Sequence, residues 1–247
     1  MPFSIASFRL GLLMTFCCLW LLFGARDVLA QCPAGTVADT MDWNDATLGW
    51  QAAMNGTQGP HTLYTDNGVQ VTVTFANTCG GAPATGTYVG GTPMLATLAD
   101  VPAGVVGDLL LRVNWGATNC QIVTTFAFSV SGSAYTVQNA TITVKDVDQA
   151  TYDDRILFPS VTTVTGGSNI TSVAGGGHGD GTPMDCLETD TTCWITGTWV
   201  SRTSISVTYN PGPQSPADPT TERILFSDLT MCVNPATVPV TLSSIEA

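Results

Sequence analysis

Four carboxylates lie within a nine-residue run that follows a predicted strand: Asp146, Asp148, Asp153 and Asp154. Calcium takes about six to eight oxygen ligands, and aspartates two residues apart can reach one ion together with main-chain carbonyls. Carboxylates this close repel one another unless a positive charge compensates, and Lys145 and Arg155 flank the run. The spacing lacks the glycine and the glutamate of an EF-hand loop. The run therefore predicts either a calcium site at these four aspartates or a salt-bridged acidic turn without an ion.

A second candidate site is the glycine-rich segment 175–188, which carries His178 and Asp180. Glycines permit close approach of a ligand to the backbone, and loops on a rigid sheet are common binding locations. The segment predicts a ligand-binding loop with His178 and Asp180 as contact residues. The alternative is a flexible connection closed by a disulfide between Cys186 and Cys193.

Trp194 and Trp199 are candidates for stacking on sugar rings. They lie five residues apart in a predicted strand, so their side chains point to opposite faces, and at least one lies outside the core unless both faces are covered. Most tryptophans of small β-domains are buried, because the indole carries a large apolar area. A glycan platform and an ordinary core position are therefore both open.

The sequence offers little support for catalysis. It contains no H-E-x-x-H, G-x-S-x-G or P-loop motif. A glycoside hydrolase needs two carboxyl groups at a set separation, and beyond residue 30 the glutamates are Glu188, Glu222 and Glu246. Aspartates can take the same role. A hydrolase is therefore disfavoured, and no catalytic residue is assigned.

The charge balance excludes one class of partner. The 247 residues contain 7 Lys or Arg and 19 Asp or Glu, a net charge of −12. Nucleic-acid binding needs clustered basic residues, so we expect no nucleic-acid partner. The length suits one all-β domain with a real core.

The N-terminus predicts export. Arg9 precedes an apolar run over 10–23, and small or apolar residues lead to Ala30, which is typical of a secretory signal peptide cleaved after Ala30. The run is short for a membrane span. Removing residues 1–30 leaves 5 basic and 18 acidic side chains, a net charge of −13. We expect a secreted or cell-surface protein, with lipid anchoring through Cys32 as the lesser alternative.

Six cysteines remain after cleavage: Cys32, Cys79, Cys120, Cys186, Cys193 and Cys232. An even number in an exported chain predicts disulfides, and six cysteines permit about fifteen pairings. We favour Cys186–Cys193 across a short loop, Cys79–Cys120, and Cys32–Cys232 joining the ends of the domain.

Alternating apolar residues predict a series of strands. Val69, Val71, Val73 and Phe75 alternate with polar residues after the turn Asp66-Asn67-Gly68, and this period of two is typical of a half-buried strand. The same pattern recurs at 109–115, 122–128, 137–144, 156–158, 161–164, 194–200, 205–209 and 223–226. Short helices are candidates near 45–54 and 94–100. The fold class is therefore all-β, an antiparallel β-sandwich of jelly-roll type.

One five-residue pattern occurs twice. Residues 154–158 read D-R-I-L-F, and residues 222–226 read E-R-I-L-F. We expect two strands with equivalent positions in one sheet, with a duplicated binding unit as the alternative.

Several segments resemble a bacterial extracellular β-sandwich module of large surface and adhesin-like proteins. They are 41–50, 64–73, and the F-x-F-S, D-x-D and D-R-[VI] elements at 126–129, 146–148 and 154–156. Residues 236–247 resemble the first strand of a following fibronectin-type domain, here truncated. The resemblance implies a β-sandwich with a surface location. Since no linker divides the body of the chain, we expect a single sandwich over 31–235, and our hypothesis for its partner is a glycan or a protein.

These observations together predict a secreted, non-catalytic binding or adhesion module, stabilised by Ca²⁺ in one interpretation. The alternatives are a purely structural element of an extracellular assembly and, less favoured, a secreted glycoside hydrolase.

Overall fold

The computed structural model describes residues 32–80, 82–83, 92–97, 106–149, 152–180, 186–216 and 222–236. The described part of the chain lies in one compact unit that begins at Cys32. Its strands are β1 (Val37–Met41), β2 (His61–Tyr64), β3 (Gln70–Cys79), β4 (Ala82–Pro83), β5 (Met94–Leu95), β6 (Leu109–Val113), β7 (Cys120–Val130), β8 (Ser133–Ala134), β9 (Val137–Lys145), β10 (Asp154–Leu157), β11 (Thr163–Gly166), β12 (Ile170–Val173), β13 (Gly176–Gly179), β14 (Ile195–Arg202), β15 (Ser204–Pro211), β16 (Glu222–Phe226) and β17 (Leu229–Val233). Single 3-10 turns span Ala52–Met54 and Thr191–Cys193.

The strands form two antiparallel sheets. In sheet A the order is β1-β17-β9-β16-β6-β5, and β14 and β11 extend it from the other side of β9. In sheet B the order is β12-β13-β10-β15-β7-β3-β2, with β4 on β3 and β8 on β7. The predicted all-β antiparallel sandwich is confirmed.

The core lies between the two sheets because each strand buries alternate residues. In β3, Val71, Val73 and Phe75 are buried while the intervening residues are half-exposed. The strand starts after a tight turn in which Gly68 has a φ of 84°, a conformation that favours glycine. Phe126 of sheet B meets Phe226 of sheet A with ring centroids 6.4 Å apart. Face-to-face sheets thus share one hydrophobic core.

Three disulfides are present among the described residues, and they join the three favoured pairs: Cys32–Cys232, Cys79–Cys120 and Cys186–Cys193. They indicate an oxidising compartment. The sulfur of Cys32 is bonded to Cys232, so in this structure it is not available for the thioether of a lipid anchor.

The glycine-rich segment differs from the prediction. It contains β13, which pairs with both β10 and β12, and is therefore not a flexible loop over its first part. A side chain at Gly176 would place its Cβ 2.0 Å from the carbonyl oxygen of Ile156, and one at Gly177 would lie 2.5 Å from Ile170 Cγ2. The glycines let three strands approach closely, which explains a strand in a sequence that reads as a turn.

The repeated pattern also differs from the prediction. Residues 154–157 form β10 in sheet B and residues 222–226 form β16 in sheet A, so the two copies belong to opposite sheets instead of equivalent places in one. Of the predicted helices, the first contains the 3-10 turn at Ala52–Met54, while Met94–Leu95 is a strand.

The predicted signal peptide and residues 237–247 of the predicted tail lie outside the described residues. Within the described part of the chain, no helix has the length and apolar character needed to cross a membrane.

Candidate functional site

A group of interacting acidic side chains lies where β9 ends and where β10 and β16 begin. We call it the acidic cluster and define it as Asp146, Asp148, Asp154, Glu188 and Glu222. Asp146 and Asp148 follow β9, Asp154 begins β10, and Glu222 begins β16. Strands of both sheets therefore bring together carboxyls that are far apart in sequence, and Glu188 and Glu222 join a site that the sequence confined to 146–154.

Asp154 and Glu222 form a buried carboxyl pair, with exposed fractions of 5% and 4%. The Tyr209 hydroxyl donates to Asp154 Oδ1 at 2.6 Å and lies 3.4 Å from Glu222 Oε2. Trp115 Nε1 donates to the same Glu222 oxygen at 2.6 Å. The rings of Trp115 and Tyr209 pack edge to face and cover the pair, so this pair bridges the two sheets.

Burial dominates the electrostatics of this pair. It raises the pKa of Glu222 to about 7, although hydrogen bonds from Trp115 and Tyr209 oppose the rise. Burial, and then the charge of Glu222, raise the pKa of Asp154 well above its ordinary value. Two adjacent carboxylates in a dry site cannot both ionise cheaply. At neutral pH the pair is therefore expected to hold a proton.

Arg223 neutralises the other side of the cluster. Its Nε donates to Asp146 Oδ2 at 2.7 Å, and its guanidinium lies 2.5 Å from Glu188 Oε1. Burial nevertheless raises the pKa of Asp146 to about 7, against the favourable charge of Arg223. Asp146 has a φ of 64°, a left-handed conformation that aspartate tolerates better than most residues. The kink turns the chain from β9 into the cluster.

Asp148 links the cluster to the disulfide loop. Its Oδ2 accepts from the amide of Cys186 at 2.7 Å, and its carbonyl accepts from the amide of Asp154 at 2.9 Å. The side chain is half-buried. Asp148 thus holds the main chain of the disulfide loop and the first residue of β10 by hydrogen bonds.

Asp153 leaves the cluster and meets His178 instead. Its Oδ2 accepts from the amide of Gln214 at 3.0 Å, and its Oδ1 lies 3.4 Å from His178 Nδ1. Burial raises the pKa of Asp153, while the Gln214 hydrogen bond and His178 lower it. The Asp153 side chain is fully buried, and the His178 side chain is 11% exposed. The structure therefore joins two residues that the sequence assigned to separate sites.

The four predicted calcium ligands do not converge on one point. Among the described residues, the group of acidic, histidine and cysteine ligand atoms that lies within 4.8 Å is Cys186, Asp190 and Cys193, and its two cysteines are disulfide-bonded. Two buried oxygens of the cluster, Asp146 Oδ1 and Glu222 Oε1, nevertheless lack a hydrogen-bond partner in the described part of the chain. Either protons or a cation must compensate such oxygens.

The predicted ligand-contact residues fall in different environments. Trp199 is 1% exposed, and its Nε1 donates to the carbonyl of Pro159 at 3.0 Å, which corrects its expected role as a sugar platform. His178 is buried in β13, and Asp180 is exposed after the strand. Trp194 is half-buried under Lys145, whose Nζ lies 4.8 Å from the ring centroid. No sugar-binding surface unites these four residues.

A regular surface that the sequence analysis missed covers the outer face of sheet A. We call it the threonine grid and define it by eight threonines in two rows. The long row crosses five strands through direct pairing of Thr163, Thr198, Thr141, Thr230 and Thr40. The short row crosses three strands and consists of Thr165, Thr196 and Thr143. Every grid side chain is half-buried or exposed.

Hydrogen bonds align the middle of the grid. The hydroxyls of Thr141 and Thr198 lie 3.1 Å apart, and those of Thr143 and Thr196 lie 2.8 Å apart. The residues between them, such as Ile142 and Gly197, face the core. A T-x-T pattern in β9, β11 and β14 is the sequence signal of this surface, but only strand pairing shows that the three copies stand side by side.

No protein-family model, no curated protein and no solved structure matches this chain.

Proposed function

We propose that the chain is an exported, non-catalytic binding or adhesion module of a bacterial cell surface, and that the threonine grid is its ligand-contacting face. The disulfides and the resemblance to adhesin-like modules support the location. The single observation that carries the binding face is the contrast in exposure: four of the five carboxyls of the acidic cluster are buried, whereas every threonine of the grid is at least partly exposed to solvent.

The burial of the acidic cluster also supports a non-catalytic role. A hydrolase needs carboxyl groups that reach the substrate, but Asp154 and Glu222 are covered by Trp115 and Tyr209. Glu188 is 1% exposed and contacts Arg223. These carboxyls act on the fold and not on a bound polymer.

The proposal is tested by measuring how the exported protein binds to three probes. These are a glycan array, insoluble cellulose and chitin, and polycrystalline ice as a periodic surface without carbohydrate. We expect retention on at least one probe and its loss in a Thr196→Lys/Thr198→Lys variant. The matched control is Thr72→Lys/Thr74→Lys on the outer face of β3, which adds the same charge to sheet B.

Retention in the grid variant, or no binding to any probe, would overturn the proposal. Turnover of chromogenic glycosides that disappears in Glu222→Gln would replace it with a hydrolase.

Calcium is the cofactor of this proposal, and the acidic cluster is where it would bind. The support is a charge argument: the guanidinium of Arg223 contacts two of the five carboxyls of the cluster, Asp146 and Glu188, and Asp146 Oδ1 and Glu222 Oε1 lack partners among the described residues. Hard oxygen donors of this kind suit Ca²⁺. Glu222 and Glu188 replace Asp153 in the ligand set, because Asp153 is held by Gln214 and His178. When bound, the ion would supply charge compensation.

Melting temperatures at about pH 8, with millimolar Ca²⁺ or with chelator, test this assignment. We expect Ca²⁺ to raise the melting temperature of the wild type and of Asp153→Asn, and to leave that of Glu222→Gln unchanged. Equal melting temperatures of the wild type in Ca²⁺ and in chelator would remove calcium from the proposal.

A further inference from the structure

We infer that the threonine grid binds the surface of ice, that is, a hydrogen-bonded lattice of water molecules. The inference rests on the proposed function in one respect, since it takes the grid to be the binding face. It adds the chemical class of the ligand: a neutral, rigid solid that repeats in two directions.

The first argument is spacing. Adjacent strands lie about 4.8 Å apart, and residues i and i+2 of one strand lie about 6.8 Å apart on the same face. Direct pairing of Thr163, Thr198 and Thr141, and of the short row beside it, puts threonine side chains at both repeats, while the hydroxyls of the Thr141–Thr198 and Thr143–Thr196 pairs approach to 3.1 and 2.8 Å. The oxygen atoms on the prism face of hexagonal ice repeat at two similar perpendicular distances. A lattice of water can thus meet many threonine side chains at once.

The second argument is chemistry. A threonine hydroxyl both donates and accepts hydrogen bonds, as water does, and its neighbouring methyl group favours ordered water. Branching at Cβ restricts the χ1 angle, and the Thr141–Thr198 and Thr143–Thr196 hydroxyl contacts restrict it further. The hydroxyls are therefore ordered before a ligand arrives, which lowers the entropy cost of binding.

The third argument is what surrounds the grid. Lys145, at the end of β9, is held by Asp108 at 2.7 Å and lies over Trp194. Arg202, at the end of β14, donates to the carbonyls of Ser201 and Ser160. Both positively charged side chains thus lie at the ends of their strands and already have partners. The paired positions between them are uncharged. A neutral ligand fits this face better than an ionic one, and the ring of Trp194 beside the grid is covered by Lys145.

Strand propensity alone does not explain the grid. Threonine is common in strands, so propensity would scatter it over both outer faces. On sheet B the outward rows are shorter or mixed: Thr62 pairs with Thr72, which stands opposite Ala127, and Thr74 pairs with Thr125, which pairs with Ser206. The grid differs in its extent, because its long row crosses five strands and a second row of threonines runs beside it. Because sheets twist by about 20° per strand, the six threonines of β9, β11 and β14 form the contact area, and Thr230 and Thr40 extend it.

The test is growth of ice in a solution of the exported protein. Crystal shape near the melting point and inhibition of recrystallisation are recorded for the wild type, Thr196→Lys/Thr198→Lys and Thr72→Lys/Thr74→Lys. We expect the wild type to facet ice crystals and to slow recrystallisation, the grid variant to need at least tenfold more protein for the same effect, and the sheet B variant to equal the wild type. Circular dichroism verifies folding, and Thr163→Lys on the outermost strand of the grid replaces the double variant if that variant does not fold.

Ice growth equal to that in buffer, an unchanged grid variant, or equal losses in both double variants would overturn the inference. Its failure is distinguishable from that of the proposed function. A glycan or polysaccharide bound through the grid without any effect on ice would support the binding module and contradict ice as its ligand. No binding to any probe would contradict both proposals.

Discussion

The acidic cluster and the threonine grid meet along β9, and they differ in charge and in exposure to solvent. Residues Thr141 and Thr143 of β9 face solvent in the grid, and a few residues later the left-handed backbone of Asp146 turns the chain into the cluster. In the cluster, charged groups are buried and fixed by particular partners. In the grid, uncharged groups are repeated and exposed.

The difference shows that the carboxyl groups of the cluster and the hydroxyl groups of the grid have different roles. Buried charges need partners of matching charge or a proton, so each carboxyl of the cluster constrains the fold. Exposed hydroxyls lose little when the protein folds and remain able to bind other groups. Variants in the cluster should therefore change stability, and variants in the grid should change binding.

The largest effect is expected from Arg223→Met, which leaves Asp146 and Glu188 buried without their cation. Removing one partner of a buried ion pair costs about 3–5 kcal/mol of unfolding free energy. Urea denaturation measures it. Arg202→Met is the matched control, because Arg202 contacts carbonyl oxygens at the surface and should change stability by less than about 0.5 kcal/mol. Equal effects of the two variants would contradict the assigned role of Arg223.

The second prediction is a stability that falls as the pH rises. The pKa of Glu222 is raised from 4.5 to about 7 in the folded state, so the folded protein holds more protons than the unfolded chain between these values. Its contribution is full below about pH 4.5 and is lost by about pH 7, which amounts to roughly 3 kcal/mol. Unfolding free energies in chelator at about pH 5 and about pH 8 measure the slope.

Glu222→Gln should flatten this slope, because glutamine does not titrate and can donate to Asp154. An equally steep loss of stability in Glu222→Gln, or a wild type that is more stable at the higher pH, would show that the carboxyl pair does not hold a proton.

Tyr209→Phe sharpens the comparison within the cluster. It removes the hydroxyl that donates to Asp154 at 2.6 Å, leaving a buried acceptor at a cost of about 1–3 kcal/mol. Thermal unfolding of this variant is compared with that of Tyr64→Phe, whose ring is 39% exposed. The control should melt close to the wild type. A Tyr209→Phe protein that also does so would contradict a structural role for this hydrogen bond.

The smallest effect on stability is expected in the grid. Thr141→Val keeps the shape and the strand preference of the side chain and removes one partly exposed hydroxyl at the surface of the sheet, so the unfolding free energy should change by less than about 0.5 kcal/mol. Chemical denaturation measures this. A loss above about 2 kcal/mol would mean that the Thr141–Thr198 contact supports the fold, and the contrast between cluster and grid would fail.

Local pattern predicted most of the strands. The alternation at 122–128 and 137–144 lies within β7 and β9, because burial of one face imposes a period of two on the sequence. It failed for β13, where glycines are required by close strand packing and not by a turn. It also missed β1 and β17, which pair the two ends of the described chain.

The candidate site was predicted less well. The acidic run was recognised, but the sequence placed Asp153 with its neighbours, and the fold turns it toward His178. The two D/E-R-I-L-F copies were visible, yet nothing local shows that their acids meet from opposite sheets. Side-chain direction depends on which strands pair and in what register.

The sequence by itself determined the all-β class, the number of cysteines available for disulfides and the acidic balance, because these follow from composition and from local alternation. The structure selected one set of disulfide pairs, the favoured one, from the possible pairings. Tertiary structure alone decided that Asp154 and Glu222 share one buried site and that threonines from β1, β9, β11, β14 and β17 form rows. Both depend on strand register between distant segments, which is set by packing the whole core at once.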